Sequence, residues 1–176
     1  MAGHNKWSKI KHKKAVTDAR KSKIFSKLVR LIQVEAKKCG GDTASANLKA
    51  AIEKAKKENM PLENIERAIK KASEGTDMFP VTFETYGPGG VGIIIEGLTD
   101  NNNRTNAEIK HILSKQNTEL AAQGSVVWNF TKNKETGVWE PHMTLDLDDV
   151  HLEKLESLID ALEDHDDVQD IYTNAS

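Results

Sequence analysis

The sequence is poor in cysteine, proline and aromatic residues. Among its 176 residues are one cysteine and four prolines, and 5% of the side chains are aromatic. The single cysteine, Cys39, excludes an internal disulfide framework and a cysteine-rich zinc module. It lies at helical spacing from Leu28, Ile32 and Ala36, which favours a small buried hydrophobic residue over a reactive thiol. We therefore expect a reduced protein without cysteine chemistry.

Long apolar runs are also missing. No stretch approaches the ~20 apolar residues that cross a bilayer, and no apolar run follows the basic N-terminus as it would in a signal peptide. A hydrophobic content of 38% with 30% charged residues is ordinary for a globular protein. A chain of this length forms one domain or two small ones. We expect a cytoplasmic protein with no membrane partner.

Catalytic motifs are scarce. The glycine-rich cluster at residues 87–90 joins two β-rich runs, and neither a P-loop nor a dinucleotide-binding pattern accompanies it. A hairpin turn is the better interpretation. Ser125 follows Gly124, but Val127 stands where a nucleophile elbow needs glycine. We therefore predict a protein that is not an enzyme, with no catalytic residue and no cofactor.

Residues 164–167 offer three carboxylates and one imidazole. They are adjacent in the sequence and lack the glycine-punctuated spacing of a calcium-binding loop. This arrangement favours an acidic helix end or a partner surface over a metal site, and we assign no metal ligand. A metal-dependent hydrolase that uses Asp164, His165, Asp166 and Asp167 is kept as a remote alternative.

What the sequence has is a pronounced charge asymmetry. Its first 38 residues contain twelve Lys or Arg and two Asp or Glu, although the whole chain has a net charge of −2. Residues 141–176 contain eleven Asp or Glu and a single cation, Lys154. Concentrated positive charge binds polyanions because the bound counterions are released. The basic part is therefore predicted to bind nucleic acid, with a solvated helix face as the alternative, and the acidic part is a candidate surface for a basic protein.

The basic segment also has side chains suited to nucleic acid. Trp7 could stack on a base or equally anchor its segment on the helices, and His12 could stack or bind phosphate. No zinc finger, basic zipper or aromatic RNA-binding strand pair is present, which favours contacts to backbone and shape. The predicted nucleic-acid-binding residues are Lys6, Trp7, Lys9, Lys11, His12, Lys13, Lys14, Arg20, Lys21, Lys23, Lys27, Arg30 and Arg104.

Hydrophobic periodicity predicts helices in the N-terminal half. Residues 1–16 show no sustained period and are interpreted as a basic arm. Apolar residues recur at intervals of three and four residues from about 18 to 39 and from about 45 to 59. A third segment with this pattern runs from Pro61 to just before Gly75. The loops between them are short, so we expect a three-helix bundle over residues 17–76.

From residue 77 onward the pattern alternates between strands and helices. Two β-rich runs at 81–86 and 91–98 predict a hairpin. Thr105 and Glu108 form a capping box that would open a helix. Further strands are predicted at 126–130, 143–147 and 168–172, with a helix near 152–162. This order predicts an α+β fold in which residues 77–176 form a ferredoxin-like split βαβ domain with an extra hairpin strand.

Five segments, in order along nearly the whole chain, resemble the YebC family, which includes the mitochondrial translational activator of cytochrome c oxidase. The segments are MAGHNKWSKIKHKKA at 1–15, YGPGGV at 86–91, LTDNNNRT at 98–105, GSV at 124–126, and LIDALEDHDDV at 158–168 followed by YTN at 172–174.

The resemblance implies a helical bundle followed by α+β structure. Family members are described as DNA-binding transcriptional regulators and also as ribosome-associated factors that help translation through proline runs. Members usually carry a further α+β domain after the strand at 126–130, whereas here residues 131–141 form a short connector, so we expect a short form that lacks this inserted domain. Asn5 replaces a usual serine and Asn102 a common arginine, which leaves Arg104 as the cation of its loop.

Two partner classes therefore stay open. One is ribosomal RNA or tRNA on the ribosome, and the other is duplex DNA bound by a transcriptional regulator. Duplex regulators usually present two-fold symmetric half-sites, and the sequence shows neither a zipper nor a long apolar dimer face. We therefore favour action on the ribosome and keep the DNA-binding regulator as the alternative.

Overall fold

The computed structural model describes residues 17–176, which divide into two compact units. The helical unit contains residues 17–79 with Leu98–Asp100, and the α+β unit contains Pro80–Gly97 and Asn101–Ser176. The predicted arm over residues 1–16 lies outside the described residues. The domains assigned from the sequence, 1–16, 17–76 and 77–176, stay a prediction, because compact units need not be domains that fold alone.

Three α-helices form the helical unit: α1 (Asp18–Lys38), α2 (Ala46–Lys57) and α3 (Leu62–Lys70), with a 3₁₀ turn at Lys71–Glu74. The side chain of the N-cap residue Thr17 accepts a hydrogen bond from the Arg20 amide, and glycines with positive φ follow the end of α1. The predicted three-helix bundle is confirmed. Within residues 17–176, no helix is long and apolar enough to cross a membrane.

The core of the bundle combines branched residues with alanines. Leu28 and Ile32 of α1 pack with Leu48 of α2 and Ile65 of α3, and small side chains fill the remaining positions. Cys39 is half-buried and packs against this cluster, as expected for a small hydrophobic residue. Close-packed alanines let the helices approach closely, and one face of α1 is therefore buried in the core.

The remaining elements are strands β1 to β5 and helices α4 and α5. Their bounds are β1 Phe79–Tyr86, β2 Gly92–Thr99, α4 Asn102–Lys115, β3 Phe130–Lys132, β4 Trp139–Pro141, α5 Asp149–Glu163 and β5 Val168–Thr173. The main sheet has the order β1-β2-β5, and β2 pairs antiparallel with β5. The turn between β3 and β4 is closed by hydrogen bonds from Asn133 N to Val138 O and from Gly137 N to Asn133 O, each 2.8 Å.

Strand β2 is the centre of the α+β core. Ile93 and Ile95 pack in a cluster with residues of α4 and α5, whereas Ile94 packs with Val126 and Phe130 in another. Because β2 is covered on both faces, Ile93, Ile94 and Ile95 form an apolar run without the alternation of a half-exposed strand.

The α+β class and the hairpin strand β1 are confirmed, but the ferredoxin-like sheet is wrong in detail. Its first and last strands, β2 and β5, are neighbours as expected, whereas β3 and β4 pair with each other in a separate two-stranded sheet. A strand has two edges, and those of β2 are occupied by β1 and β5. The ferredoxin-like order places its third strand, here the one predicted at 143–147, beside β2, and β1 occupies that edge instead.

The predicted strand at residues 143–147 is also wrong, apart from an isolated bridge between Leu145 and Ala175. Leu145 bonds through its backbone to Asn174 and Ser176, whereas asparagine side chains satisfy the backbone of Met143. Asn129 accepts from Met143 N and donates to Met143 O, each at 3.0 Å, and Asn174 donates to the same carbonyl at 3.1 Å. The strand predicted at 126–130 begins only at Phe130, after a 3₁₀ turn.

Candidate nucleic-acid interface

Helix α1 has cations along one face, which we call the basic face and define by Arg20, Lys23, Lys27 and Arg30. Their spacings of three, four and three residues place them in one row along the helix. None of these four side chains belongs to the bundle core. All four side chains are half-buried, and all four also interact with other groups of the chain.

Lys21 lies to one side of the basic face and is exposed. Its Nζ lies 5.7 Å from the centroid of the Phe25 ring, within the range of a cation–π contact. The sequence-predicted residues of α1 are therefore brought together on one helix, four in a row and one beside it. Lys6, Trp7, Lys9, Lys11, His12, Lys13 and Lys14 lie outside the described residues.

The last turn of α1 contacts the segment after α3. Lys37 Nζ donates to the Gly75 carbonyl at 2.9 Å and lies 2.7 Å from a carboxylate oxygen of Asp77. The side chain of Asp77 is 89% exposed, so solvent screens this ion pair and its contribution to stability is small. Lys38 pairs with Glu35 at 2.8 Å.

A groove of about 160 Å³ lies between α1 and residues 72–78, within the helical unit. We call it the α1 groove. It combines positively charged and apolar side chains, among them Arg30, Val34, Lys37, Lys38, Ala72 and Met78. Arg30 belongs to both the basic face and the groove, so the two surfaces are continuous.

Arg104 lies on α4 in the other unit and has an internal partner. Its Nη2 lies 2.7 Å from Asp167 Oδ2, and its Nε lies 3.7 Å from Glu108. The side chain of Asp167 is 4% exposed, and Thr105 Oγ1 lies within hydrogen-bonding distance of the same oxygen at 2.6 Å. The positive charge of Arg104 thus compensates a buried carboxylate, and its contact with nucleic acid stays a prediction.

The predicted capping box of Thr105 and Glu108 is wrong. Helix α4 begins four residues earlier than this motif implies, because Asn101 is its N-cap and accepts from the Arg104 amide at 3.1 Å. Asparagine is as good an N-cap as threonine. Thr105 is instead buried inside the helix, where its hydroxyl bonds to Asp167.

The predicted acidic run at the end of α5 contributes to a hydrogen-bonded network. His165 Nε2 lies 2.8 Å from Glu108 Oε2, and His165 Nδ1 accepts from the Asp167 amide at 3.1 Å. Possible ligand atoms of Glu108, His165 and Asp167 lie within 4.8 Å of one another. Because Arg104 already neutralises Asp167, the group is explained as a structural ion-pair network.

The sequence analysis missed Glu84, a buried carboxylate on β1 that is 5% exposed. Its Oε1 accepts from Gly124 N at 2.6 Å, and its Oε2 accepts from Val126 N at 2.7 Å and from Val127 N at 2.9 Å. Gly124 has φ +86°, a turn conformation that points successive amides at one acceptor. Glu84 thus fixes the turn at residues 122–127 against β1.

The fold and these surfaces define an α+β protein with a basic helical unit and a sheet covered by two helices. The model of the TACO1/YebC protein N-terminal domain matches residues 5–75, and that of the TACO1/YebC second and third domain matches residues 78–138 and 133–175. The chain belongs to the TACO1/YebC family, which confirms the resemblance noted in the sequence.

Similar proteins are found in several bacteria. A probable transcriptional regulatory protein of Trichlorobacter lovleyi is 44% identical over 180 residues, covering 100% of this chain and 72% of that protein. One of Desulfosudis oleivorans, with the same name, is 37% identical over 238 residues, covering 100% of this chain and 97% of that protein. The crystal structure of a conserved hypothetical protein from Aquifex aeolicus superposes with a TM-score of 0.81 at 32% identity, covering 97% of this chain and 96% of that one.

The comparisons also bear on the expected missing domain. The alignment with the Desulfosudis oleivorans protein spans 238 positions and includes the whole chain of 176, so that relative has residues with no counterpart here. The two segments matched by the second and third domain overlap at residues 133–138, which form the turn between β3 and β4. This overlap supports a short form of the family with the lost residues at that turn.

Proposed function

We propose that this chain is a non-enzymatic regulator that acts in the cytoplasm on the RNA of the translation machinery, ribosomal RNA or tRNA, and supports translation, including that of proline-rich stretches. The basic segment 1–16 and the basic face of α1 would bind the phosphates. The observation that carries the proposal is the row of four cations on the side of α1 that is not used by the bundle core. Such a row follows a polyphosphate backbone and releases its counterions.

The composition of the basic face favours a partner that is recognised by backbone and shape. This face consists of arginine and lysine, which bind phosphate and of the bases read guanine, and it carries no asparagine, glutamine or acidic residue to read adenine or cytosine edges. Phosphate contacts position a protein without reading sequence. A folded RNA surface provides such a target, whereas a promoter requires discrimination between base pairs.

A DNA-binding transcriptional regulator is the second candidate. The names of the relatives from Trichlorobacter lovleyi and Desulfosudis oleivorans favour it, and duplex phosphates would attract the same cations. In either case, the acidic segment 141–176 would contact a basic protein surface, since α5 carries five carboxylates and two basic side chains, counting His151.

Competition between the two partners tests the proposal. Tagged protein is mixed with purified ribosomes and a large excess of mixed-sequence duplex DNA at near-physiological salt, and the mixture is sedimented through a cushion. We expect the protein to pellet with the ribosomes despite the DNA. Retention on DNA with protein-free ribosome pellets would support the transcriptional regulator instead.

The lysines of the N-terminal segment are expected to contribute to the same binding. Replacing Lys9, Lys11, Lys13 and Lys14 by alanine should lower RNA affinity and flatten its dependence on salt by about 0.7 per lost phosphate contact. Affinity is measured by fluorescence anisotropy at several salt concentrations, with thermal unfolding as the control for the bundle. Unchanged binding would place the interface elsewhere on the chain.

A further inference from the structure

We infer that the α1 groove holds one unpaired base of the bound RNA, with the neighbouring phosphate on its basic rim. The inference rests on the proposed function and specifies which part of the RNA is recognised. It follows from the lining of the groove, from its charge and from its size.

The floor of the groove is apolar. Val34 is 8% exposed and Ala72 is 4% exposed, and Met78 closes the groove from the segment that follows the 3₁₀ turn. Aliphatic surface and a polarizable thioether make favourable contacts with the face and edge of an aromatic ring. A nucleobase supplies such a ring, and its transfer from water into an apolar groove is favourable.

The rim of the groove is positively charged. Arg30, Lys37 and Lys38 line it, and Asp77 is the single acidic residue among the lining side chains in the described part of the chain. Lys37 pairs with Asp77, whose side chain is 89% exposed, and an exposed pair of this kind contributes little. A phosphate can replace the Asp77 carboxylate as the partner of Lys37, since its oxygens accept the same charge-assisted hydrogen bonds.

The size and position of the groove fit a single unpaired base. Its volume of about 160 Å³ is below the ~300 Å³ at which pockets for drug-sized ligands begin, so it suits one ring better than a larger ligand. Arg30 joins the groove to the basic face, so a strand whose phosphates follow α1 reaches the groove at Arg30. A paired base has its face covered by stacking, which leaves an unpaired base of a loop or bulge as the fitting group.

Variants of the groove lining distinguish base recognition from phosphate binding. In Thr76→Leu a larger apolar side chain enters the groove from an exposed lining position, and in Met78→Ala the apolar wall is removed. Ser73→Leu is the matched control, because Ser73 is exposed in the same segment and does not line the groove. The probes are a short labelled oligouridylate and an abasic strand of the same length and charge.

Burial of about 60 Å² of apolar base surface contributes about tenfold to affinity. We expect Thr76→Leu and Met78→Ala to lower affinity for the oligouridylate by about that factor and to leave affinity for the abasic strand unchanged. Ser73→Leu should bind both strands like the wild type. If both groove variants bind both strands like the wild type, with the salt dependence retained, the base site is refuted and the phosphate interface stands. If the wild type binds neither strand nor ribosomes, the proposed function itself is refuted.

Discussion

Replacing Arg20, Lys23, Lys27 and Arg30 together by glutamine is expected to lower RNA affinity by about two orders of magnitude at near-physiological salt. Each phosphate contact with a single strand contributes about 0.7 to the slope of log affinity against log salt, so losing four flattens that slope by about 3. Glutamine retains part of the aliphatic stem and removes the charge. The measurement is a titration of labelled RNA at several salt concentrations.

The control for this variant lies on the neighbouring helix. Replacing Lys49, Lys54, Lys56 and Lys57 of α2 by glutamine removes the same charge from the same unit, and all four are exposed. We expect that control to lose much less affinity, since its cations lie off the basic face. Equal losses in the two variants would mean that RNA responds only to net charge, and a loss confined to the α2 variant would move the interface to α2.

Substitution of Glu84 by glutamine should lower the free energy of unfolding by about 3 kcal/mol. Glutamine has the same size and shape as glutamate, but it lacks the buried negative charge that accepts these hydrogen bonds. The carboxylate accepts three backbone N–H groups, from Gly124, Val126 and Val127. A carboxamide has one oxygen, and its NH₂ group would face a donor. At least one of the three amides is therefore left without an acceptor.

Urea unfolding measures this loss, and hydrogen exchange locates it. Exchange should accelerate at the amides of Gly124, Val126 and Val127, whereas amides of the bundle core should be unaffected. Glu119→Gln is the control, because Glu119 is exposed in the preceding segment and should change stability by less than about 0.5 kcal/mol. A Glu84→Gln variant as stable as this control would show that the turn does not depend on the carboxylate.

The helices could be predicted from sequence because their signals are local. The predicted helix from about 18 to 39 corresponds to α1 at Asp18–Lys38, and the one near 152–162 to α5 at Asp149–Glu163. An amphipathic stripe and the glycines that follow it lie within one segment of chain. The basic face of α1 was predictable for the same reason, since its residues are separated by three or four positions.

The rest depends on contacts between distant residues. Glu84 lies 40 residues from Gly124, and Arg104 lies 63 residues from Asp167. No local pattern distinguishes a buried glutamate with three amide partners from an exposed one. Likewise, the alternation at 126–130 indicates a strand but does not say which strand it joins, and β3 pairs with β4 in a separate sheet.

The turn between β3 and β4 closes on itself through its own hydrogen bonds, and we expect the fold to tolerate the gain or loss of a segment there in evolution. Its hydrogen bonds hold the ends of the two strands together, so a folded module could enter or leave between them at a small cost in loop entropy. The three-stranded sheet shares no ladder with this hairpin and would keep its own pairing through such an event. The same turn is therefore the natural place to graft a reporter domain onto this protein.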